Sequence, residues 1–386
     1  MGALPRHSDV VIAGAGPTGL SLALALHHQG IRPLLLDRRV DWPNTSRAGV
    51  VHAGTLEALE MLDVTPDLLR EGIRVPTFRM RDHDRALMTV DFSHLPTRYP
   101  FALMCPQDRT EAILRERLAM QGGVITGDAN VTSSRRTRDG MEVTVQTSES
   151  IQTITADWLI ACDGAHSTVR DTTGIAFEGA GYEQVFVLAD VHMTWPLPRT
   201  EVSLFLSDDG LLVIAPLPND RFRMVATVNK APSKPDVAFM QKLLTGRGPT
   251  HDARIDGVIW SSRFHVAHRR AARVVQDRVI LCGDAAHVHS PAGGQGMNLG
   301  IQDAVSLAWP LVSAMRGGNR GDVERWAARR AEIAKSVISL TDRMTRAASL
   351  RSGSMQAMRN LALQLADRMP AVPKALAAQL AQLGKR

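Results

Sequence analysis

The amino-acid sequence predicts an α/β fold with two sheets and a set of C-terminal helices. An apolar strand at residues 9–12 leads through a glycine-rich turn into an apolar helix at 20–28, as in a doubly wound parallel sheet. Alternating apolar and polar runs between 201 and 228 indicate a second, antiparallel sheet. Helical spacing at 325–347 predicts a helix that packs on the first domain.

The composition is that of an ordinary globular protein of two or three domains. The 386 residues are 44% hydrophobic and 22% charged, and the net charge of +6 is spread along the chain. We therefore expect no nucleic-acid partner, and the apolar runs are too short to predict stable insertion into a membrane. Three widely spaced cysteines, an odd number, argue against a disulfide framework or a zinc site. The sequence thus predicts a cytoplasmic protein without a metal, and it indicates no oligomeric state.

The first glycine motif has the spacing of a dinucleotide site. Residues 14–19 read GAGPTG after a strand, and Asp37 ends the following strand, 23 residues after Gly14. In this Rossmann-like arrangement Gly14 permits the turn, Gly16 lets a pyrophosphate approach, and Gly19 allows the helix to pack on the strand. Asp37 would bind the ribose, and the diphosphate would lie at the helix N-terminus.

A second glycine-rich loop follows a short apolar strand near residue 280. Asp284 ends that strand, and Gly293, Gly294 and Gly296 accompany a helix start expected between 295 and 298. The glycines let the backbone approach a ligand, and the helix directs its free N–H groups and positive dipole end toward it. The segment favours a flat, polar ligand that carries or acquires negative charge. Alternatively, the glycines only join two elements.

Further segments extend this predicted site. Arg47 precedes a helix expected at about residues 55–62, where it could reach a phosphate or be a solvated arginine. Gln107 starts a helical run and either contacts a polar cofactor or caps the helix. A third apolar strand ends in Asp163 and Gly164, a dipeptide that by itself indicates only a turn.

Taken together, four motifs resemble those of the class A flavoprotein monooxygenases, the family of para-hydroxybenzoate hydroxylase and phenol hydroxylase. They are GAGPTG at 14–19, RAGVVHAGTLE at 47–57, CDGAHSTVR at 162–170 and GDAAHVHSPAGGQGMNLGIQDA at 283–304. The resemblance covers roughly residues 9–340 and implies FAD, rather than NAD, as the tightly bound dinucleotide. A single GxGxxG motif agrees with a family in which NADPH or NADH binds transiently as the electron donor.

The resemblance carries over to individual residues. Asp37, where the family usually has Glu, would bind the adenosine ribose, and Arg47 the FAD phosphates. Gln107 and Asp284 would bind the ribityl chain, and Asp163 the pyrophosphate and the reduced nicotinamide. Pro291 and His289, beside the isoalloxazine ring, are the catalytic candidates, whereas His287 is expected to be structural. The predicted cofactor-binding residues are Gly14, Gly16, Pro17, Thr18, Gly19, Asp37, Arg38, Arg47, Gln107, Asp163, Asp284, Pro291, Gly294, Gln295, Gly296, Met297 and Asn298.

The family's chemistry implies a definite reaction. NAD(P)H reduces the flavin, dioxygen forms a flavin C4a hydroperoxide, and one oxygen atom passes to an aromatic or polycyclic small molecule. The protein orients the reactants and excludes water. Epoxidation, Baeyer–Villiger insertion and a flavin-binding sensor without turnover are alternatives on the same fold. A halogenase is disfavoured because the chain has no WxW pattern and no lysine before Lys230.

The predicted domains are discontinuous. The FAD-binding domain takes residues 1–76, 104–175 and 273–345, an α+β substrate domain takes 77–103 and 176–272, and a helical tail takes 346–386. Four residues are candidates for contact with substrate, although ordinary sheet or core positions explain them equally well: His94, Phe205, Leu212 and Pro216. Few charged groups mark this region, so we expect a mostly apolar substrate.

Overall fold

The computed structural model describes residues 4–42, 48–348, 350 and 352–384, and the backbone alone at 182–184. Within these residues the chain forms nineteen strands in three sheets. In chain order the strands are β1 His7–Ala13, β2 Leu34–Leu36, β3 Val50–Val51, β4 Ile73–Val75, β5 Thr77–Asp82, β6 Arg85–Asp91, β7 Ala102–Met104, β8 Ile125–Thr126, β9 Asn130–Arg136, β10 Met141–Gln146, β11 Ile151–Ala161, β12 Phe177–Thr194, β13 Glu201–Ser207, β14 Gly210–Leu217, β15 Arg221–Val228, β16 Arg254–Ala271, β17 Val275–Gln276, β18 Val279–Leu281 and β19 His287–Val288.

The described residues also form ten α-helices and one short 3-10 helix, Gly283–Ala285. The α-helices are α1 Pro17–His28, α2 Ala53–Glu60, α3 Thr65–Glu71, α4 Gln107–Met120, α5 Thr168–Thr172, α6 Val237–Arg247, α7 Gly296–Met315, α8 Gly321–Ala348, α9 Gly353–Asp367 and α10 Ala371–Leu380. None of the helices in this part of the chain combines the length and the apolar character needed to cross a bilayer.

The first sheet has a parallel centre, because α1 returns the chain from β1 to its neighbour β2. Strands β18, β11, β1, β2 and β8 lie side by side and parallel. The apolar residues 10–13 of β1 are at most 2% exposed. Ala13 is paired with Ala161, and Ala161 with Leu281, so three strands end at the same level of the sheet. The three motifs that follow these strands therefore meet at one carboxyl edge, the usual ligand position in such sheets.

The second sheet has the strand order β19-β16-β12-β15-β14-β13-β5-β6 and is antiparallel except for the parallel pair β13 and β5. Strands β12 and β16, of 18 residues each, run beside one another for most of their length. One face of the sheet is covered by α6, whose Met240 and Leu244 are fully buried in the core there. Residues on the opposite face line a cavity described below. A third, small sheet has the order β3-β7-β4.

The C-terminal helices pack on both parts of the molecule. Helix α7 packs against α1, α2 and α8, and α9 and α10 pack against β6 at the end of the second sheet. The predicted α/β fold, with its antiparallel second sheet and C-terminal helices, is confirmed. Pro370 precedes α10 and Pro373 lies in its first turn, where a missing N–H costs no helical hydrogen bond.

Candidate functional site

The turn between β1 and α1 packs closely on neighbouring backbone at two glycines and leaves open space beside a third. Gly14 has a φ of +99°, and a Cβ on it would lie 2.3 Å from the carbonyl oxygen of Cys162. A Cβ on Gly19 would lie 1.9 Å from the carbonyl oxygen of Gly14. A Cβ on Gly16, by contrast, would meet no atom within 4 Å. Two glycines therefore close the turn, and the third leaves space that a ligand can occupy.

Asp37 follows β2 and is buried beside this turn. Its carboxylate accepts hydrogen bonds from the N–H of Ala15 at 2.7 Å and from the N–H and Nε of Arg39 at 2.9 and 3.0 Å. Burial opposes the ionisation of Asp37, but the bonds from Arg39 and Ala15 outweigh it and hold its pKa below the ordinary value. Sequence reasoning named Arg38, which is exposed, and missed Arg39, because no pattern distinguishes the two neighbours.

The glycine-rich loop before α7 is held from behind by Asn298. Its Nδ2 donates to the carbonyl oxygens of Gly294 at 2.8 Å and Val50 at 2.9 Å, and its Oδ1 accepts from the N–H of His52 at 2.8 Å. Gly294 has a φ of +63°, and a Cβ there would lie 2.1 Å from Cγ1 of Val50. Helix α7 begins at Gly296, so the N–H groups that a first helical turn cannot satisfy internally lie at this loop.

The acids after β11 and β18 differ in burial. Asp163 accepts from the N–H of Val169 at 3.2 Å, whereas its Oδ1 is buried with no hydrogen-bond partner among the described residues. Burial raises the pKa of Asp163 above its ordinary value. Asp284 is exposed. The two strand ends thus present one buried carboxylate, with one oxygen that has no hydrogen-bond partner among the described residues, and one carboxylate that is open to solvent.

Gln107 occupies the first position of α4 and also faces the site. Its Oε1 accepts from the N–H of Ala48 at 3.1 Å, and its Nε2 donates to Glu111 at 2.9 Å. The contact of Gln107 with the ribityl chain stays a prediction. Arg47 lies outside the described residues.

His289 is a neutral imidazole in this site. Its Nδ1 donates to the carbonyl oxygen of Ser290 at 2.9 Å, and its Nε2 is buried with no hydrogen-bond partner among the described residues. Burial lowers the pKa of His289 to about 4. At neutral pH, Nε2 is therefore a hydrogen-bond acceptor and not a proton donor.

His287 belongs to a buried ionic cluster behind the loop. Its Nε2 lies 2.6 Å from Oδ2 of Asp303, which also accepts from the N–H of Gly283 at 3.2 Å. The other oxygen of Asp303 pairs with Arg330 of α8. Asp303 thus connects α8 to the turn that carries Asp284, and His287 stabilises this connection.

One cavity of about 830 Å³ joins these parts. Fourteen of the predicted cofactor-binding residues line it: Gly14, Gly16, Pro17, Thr18, Asp37, Arg38, Gln107, Asp163, Asp284, Pro291, Gly294, Gln295, Gly296 and Met297. His289 lines it as well. Gly19 and Asn298 do not, since they hold the turn and the loop in place from behind.

The apolar part of the cavity lies against the second sheet. Strands β13 and β14 contribute Leu204, Leu206, Leu211, Val213 and Ala215 to its wall. Other apolar side chains come from β5, β6, β12, β15 and β16, namely Phe78, Met80, Met88, Val90, Phe186, Leu188, Val225 and Phe264. This part of the cavity has the character of a site for an apolar ligand.

The structure does not bring the four predicted substrate residues to this cavity. Phe205 and Leu212 alternate with the lining residues, point to the opposite face and are 0% exposed in the core under α6. Pro216 is buried and does not line the cavity. His94 lies in a loop with an exposed side chain, 3.8 Å from the carboxylate of Asp91. The sequence identified the strands but selected the face that packs on the helix.

Several cavity residues escaped sequence reasoning. Leu363 of α9 and Leu376 and Leu380 of α10 line the apolar part, so the C-terminal helices are a wall of the site. Arg223 of β15 also lines it. Its Nε and Nη2 donate to Asp190 at 2.8 Å each. The only available signal was an arginine among the apolar residues of a predicted strand.

The residues present fit FAD. Open space beside Gly16 suits a pyrophosphate, and the ionised Asp37 suits a ribose. The N-terminus of α7 provides N–H groups for the polar edge of a flavin ring. The buried Oδ1 of Asp163, which has no donor among the described residues, can accept a hydrogen bond from a ligand. Because a single cavity contains all of these groups, one extended ligand can contact them together.

Comparison with known proteins agrees with this geometry. A family model described as "FAD binding domain" matches residues 7–341. The chain belongs to the FAD-dependent aromatic hydroxylase family. Within this family, 6-methylpretetramide 4-monooxygenase of Streptomyces rimosus is 35% identical over 90% of the chain and 64% of its own length. The chain thus spans less than two thirds of the length of this relative.

Two further members of the family are informative. The solved structure of an anhydrotetracycline hydroxylase from Streptomyces rimosus is 34% identical and superposes with a TM-score of 0.82, covering 98% of this chain and 76% of that one. A dialkyldecalin synthase of Streptomyces rugosporus is 31% identical over 80% of this chain and 66% of its own length. The family therefore includes a protein that is named as a synthase, not as a monooxygenase.

Proposed function

We propose that this chain is an FAD-dependent monooxygenase that uses NADPH or NADH and dioxygen to oxidise an aromatic or polycyclic small molecule. The observation that carries the proposal is the continuity of the cavity. Residues of the glycine turn, of the loop at 291–296 and of the apolar face of the second sheet all line the same cavity. A substrate on the apolar face would thus share one cavity with the flavin.

In this proposal the residues of the chain bind FAD, orient the reactants and exclude water. The N-terminus of α7 would stabilise negative charge on the flavin edge with groups that need no reorganisation. The apolar wall would keep water from the reacting groups. His289 can accept a hydrogen bond through Nε2 and, with a pKa of about 4, would not protonate the product at neutral pH. FAD held by these residues would supply the electron transfer from NAD(P)H and the activation of dioxygen.

The substrate class follows from the lining. The wall is apolar on several strands and on α8, α9 and α10, and it carries buried arginines at Arg223 and Arg359. The guanidinium of Arg359 donates to the carbonyl oxygens of Leu206 at 2.9 Å and Ala347 at 3.2 Å. A flat, fused-ring aromatic with few charged groups suits such a wall. The names of the tetracycline-type relatives support the same class.

The division into an FAD-binding domain and a substrate domain, expected from the sequence, is part of the proposal. So is a cytoplasmic location, which the free thiols of Cys105, Cys162 and Cys282 support.

The experiment is a turnover assay on the purified protein. We expect FAD to copurify or to be taken up, and NADPH or NADH oxidation to accelerate on addition of a polycyclic phenol. Under ¹⁸O₂ the product should gain one labelled oxygen atom. Product structure distinguishes hydroxylation from epoxidation and Baeyer–Villiger insertion. Failure to bind FAD would refute the proposal at its first step.

A second candidate is an FAD-binding protein that does not consume NAD(P)H, as the sequence similarity to a synthase suggests. It predicts stable FAD binding and no acceleration of NAD(P)H oxidation by any of a panel of polycyclic aromatics. It further predicts that a suitable precursor is converted without incorporation of labelled oxygen. The same assay therefore decides between the two candidates.

A further inference from the structure

The turn that ends α10 packs directly on the glycine-rich loop and on α2. The carbonyl oxygen of Ala381 accepts from the N–H of Gly54 at 2.9 Å, and a Cβ on Gly54 would lie 2.5 Å from the carbonyl oxygen of Gln382. A Cβ on Gly293 would lie 2.8 Å from Cδ2 of Leu380. Glycines on two separate elements thus allow the C-terminal turn to approach the cofactor loop this closely.

Gln382 is the centre of a chain of buried amides. Nε2 of Gln302 donates to Oε1 of Gln382 at 2.7 Å, and Nε2 of Gln382 donates to Oε1 of Gln295. Gln295 donates in turn to the carbonyl oxygens of Gly293 at 3.0 Å and Leu380 at 3.1 Å. The three glutamines are at most 2% exposed. From Gln302 through Gln382 to Gln295, each side-chain amide donates to the next, so the chain of amides leads from α7 through the C-terminal turn to the loop.

The backbone of Gln382 is itself unfavourable. Its φ of +55° lies in the left-handed region, which residues other than glycine rarely adopt. Such a conformation persists only where the surrounding contacts impose it, and it often accompanies a functional constraint. Gln379, on the exposed side of α10, has no comparable burial.

We propose that Gln382 is a positioning residue for the flavin, acting through Gln295. Gln295 immediately precedes the first residue of α7, so fixing its side chain fixes where the N–H groups of that helix start point. Those groups favour the reduced, negatively charged flavin over the oxidised one. This inference rests on FAD occupying the cavity, as proposed above.

The test compares Gln382→Met, which keeps chain length and removes the amide, with Gln379→Met as the matched control. Both are measured as FAD-loaded protein for flavin absorbance, midpoint potential and thermal unfolding. In Gln382→Met the preference for reduced over oxidised FAD should fall about tenfold. This change in the ratio of the two affinities lowers the two-electron midpoint potential by about 30 mV. Gln379→Met should leave the potential unchanged.

The pathway through Gln295 is tested by the double variant Gln382→Met with Gln295→Met. Residues that act through one contact give effects that do not add, so the double variant should match Gln295→Met alone. If Gln382→Met does not fold, Gln382→Glu replaces it, because a carboxylate still accepts from Gln302 but cannot donate to Gln295.

The outcomes separate the inference from the function on which it rests. A wild-type protein that takes up no FAD would overturn the proposed function and this inference with it. Normal FAD binding by all variants, with unchanged potential and only a lower unfolding temperature in Gln382→Met, would show a merely structural role and overturn the inference alone. A lowered potential in Gln382→Met, with additive effects in the double variant, would overturn the pathway through Gln295.

Discussion

The two glycines Gly14 and Gly16 lie in the same turn, yet replacement of each by alanine should have opposite consequences. Gly14 has a positive φ and no room for a Cβ, whereas Gly16 has φ −77° and ψ −173°, which alanine can adopt, and open space in front of it. Gly14→Ala should therefore damage the fold, and Gly16→Ala should damage FAD binding with the fold intact.

The expected magnitudes follow from these geometries. At Gly14 an L-residue at positive φ costs about 1–2 kcal/mol, and displacing packed backbone costs about 1–3 kcal/mol more. The contact that must be relieved is the 2.3 Å approach to the carbonyl oxygen of Cys162. At Gly16, which precedes α1, alanine is a poorer N-cap than glycine and costs about 0.5–1 kcal/mol. A methyl group in the space for the pyrophosphate should weaken FAD binding at least tenfold, about 1.4 kcal/mol.

The assay has two arms on each apoprotein. Urea unfolding gives the free energy of unfolding, and titration with FAD, followed by quenching of flavin fluorescence, gives the dissociation constant. Gly16→Ala that binds FAD as tightly as the wild type would refute the placement of the pyrophosphate at Gly16. Gly14→Ala with wild-type stability would refute the argument from the turn.

Three further predictions concern the same site. Asp303→Asn removes the carboxylate that faces buried Arg330 and should lower the free energy of unfolding by about 3–5 kcal/mol, measured in urea; a loss below about 1 kcal/mol would contradict the role of this cluster. Leu212→Ala should lower the free energy of unfolding by about 2–5 kcal/mol and leave KM nearly unchanged, because Leu212 packs under α6. Leu211→Ala, on the cavity face, should raise KM. Equal effects of the two variants on KM would count against the assigned faces. The pKa of His289 lies at about 4 in the folded protein, below the ordinary 6.5, so the unfolded chain takes up the proton first and stability falls as pH drops from 6.5 toward 4. His289→Gln should flatten that part of the stability curve, and a curve parallel to that of the wild type would show that His289 is not buried as a neutral ring.

Local patterns predicted most of the elements and much of the cofactor end of the site. The strand and helix around GAGPTG appear as β1 and α1, and the helix expected near 295–298 begins at Gly296. These features depend on neighbouring residues, through turn geometry and apolar spacing, so the sequence contains them directly. The same holds for the acids Asp163 and Asp284, whose strands end side by side.

The apolar end of the site was not predictable in the same way. Strand β13 is buried on both faces. One face packs against α6, and the other face lines the cavity. Alternation in the sequence then reveals two faces but not which face meets the ligand. Phe205 and Leu212, two of the predicted substrate residues, belong to the side that α6 covers.

The sequence by itself determined the type of fold, the nucleotide turn and the family, because each of these depends on residues that are close together in the chain. Only the tertiary structure decided that α9 and α10 close the cavity and that Gln382 reaches the cofactor loop. Helical spacing shows that a helix has an apolar face, but the partner of that face depends on surfaces formed by distant parts of the chain. In this protein those surfaces include the glycines Gly54 and Gly293, where the absence of a side chain permits the contact.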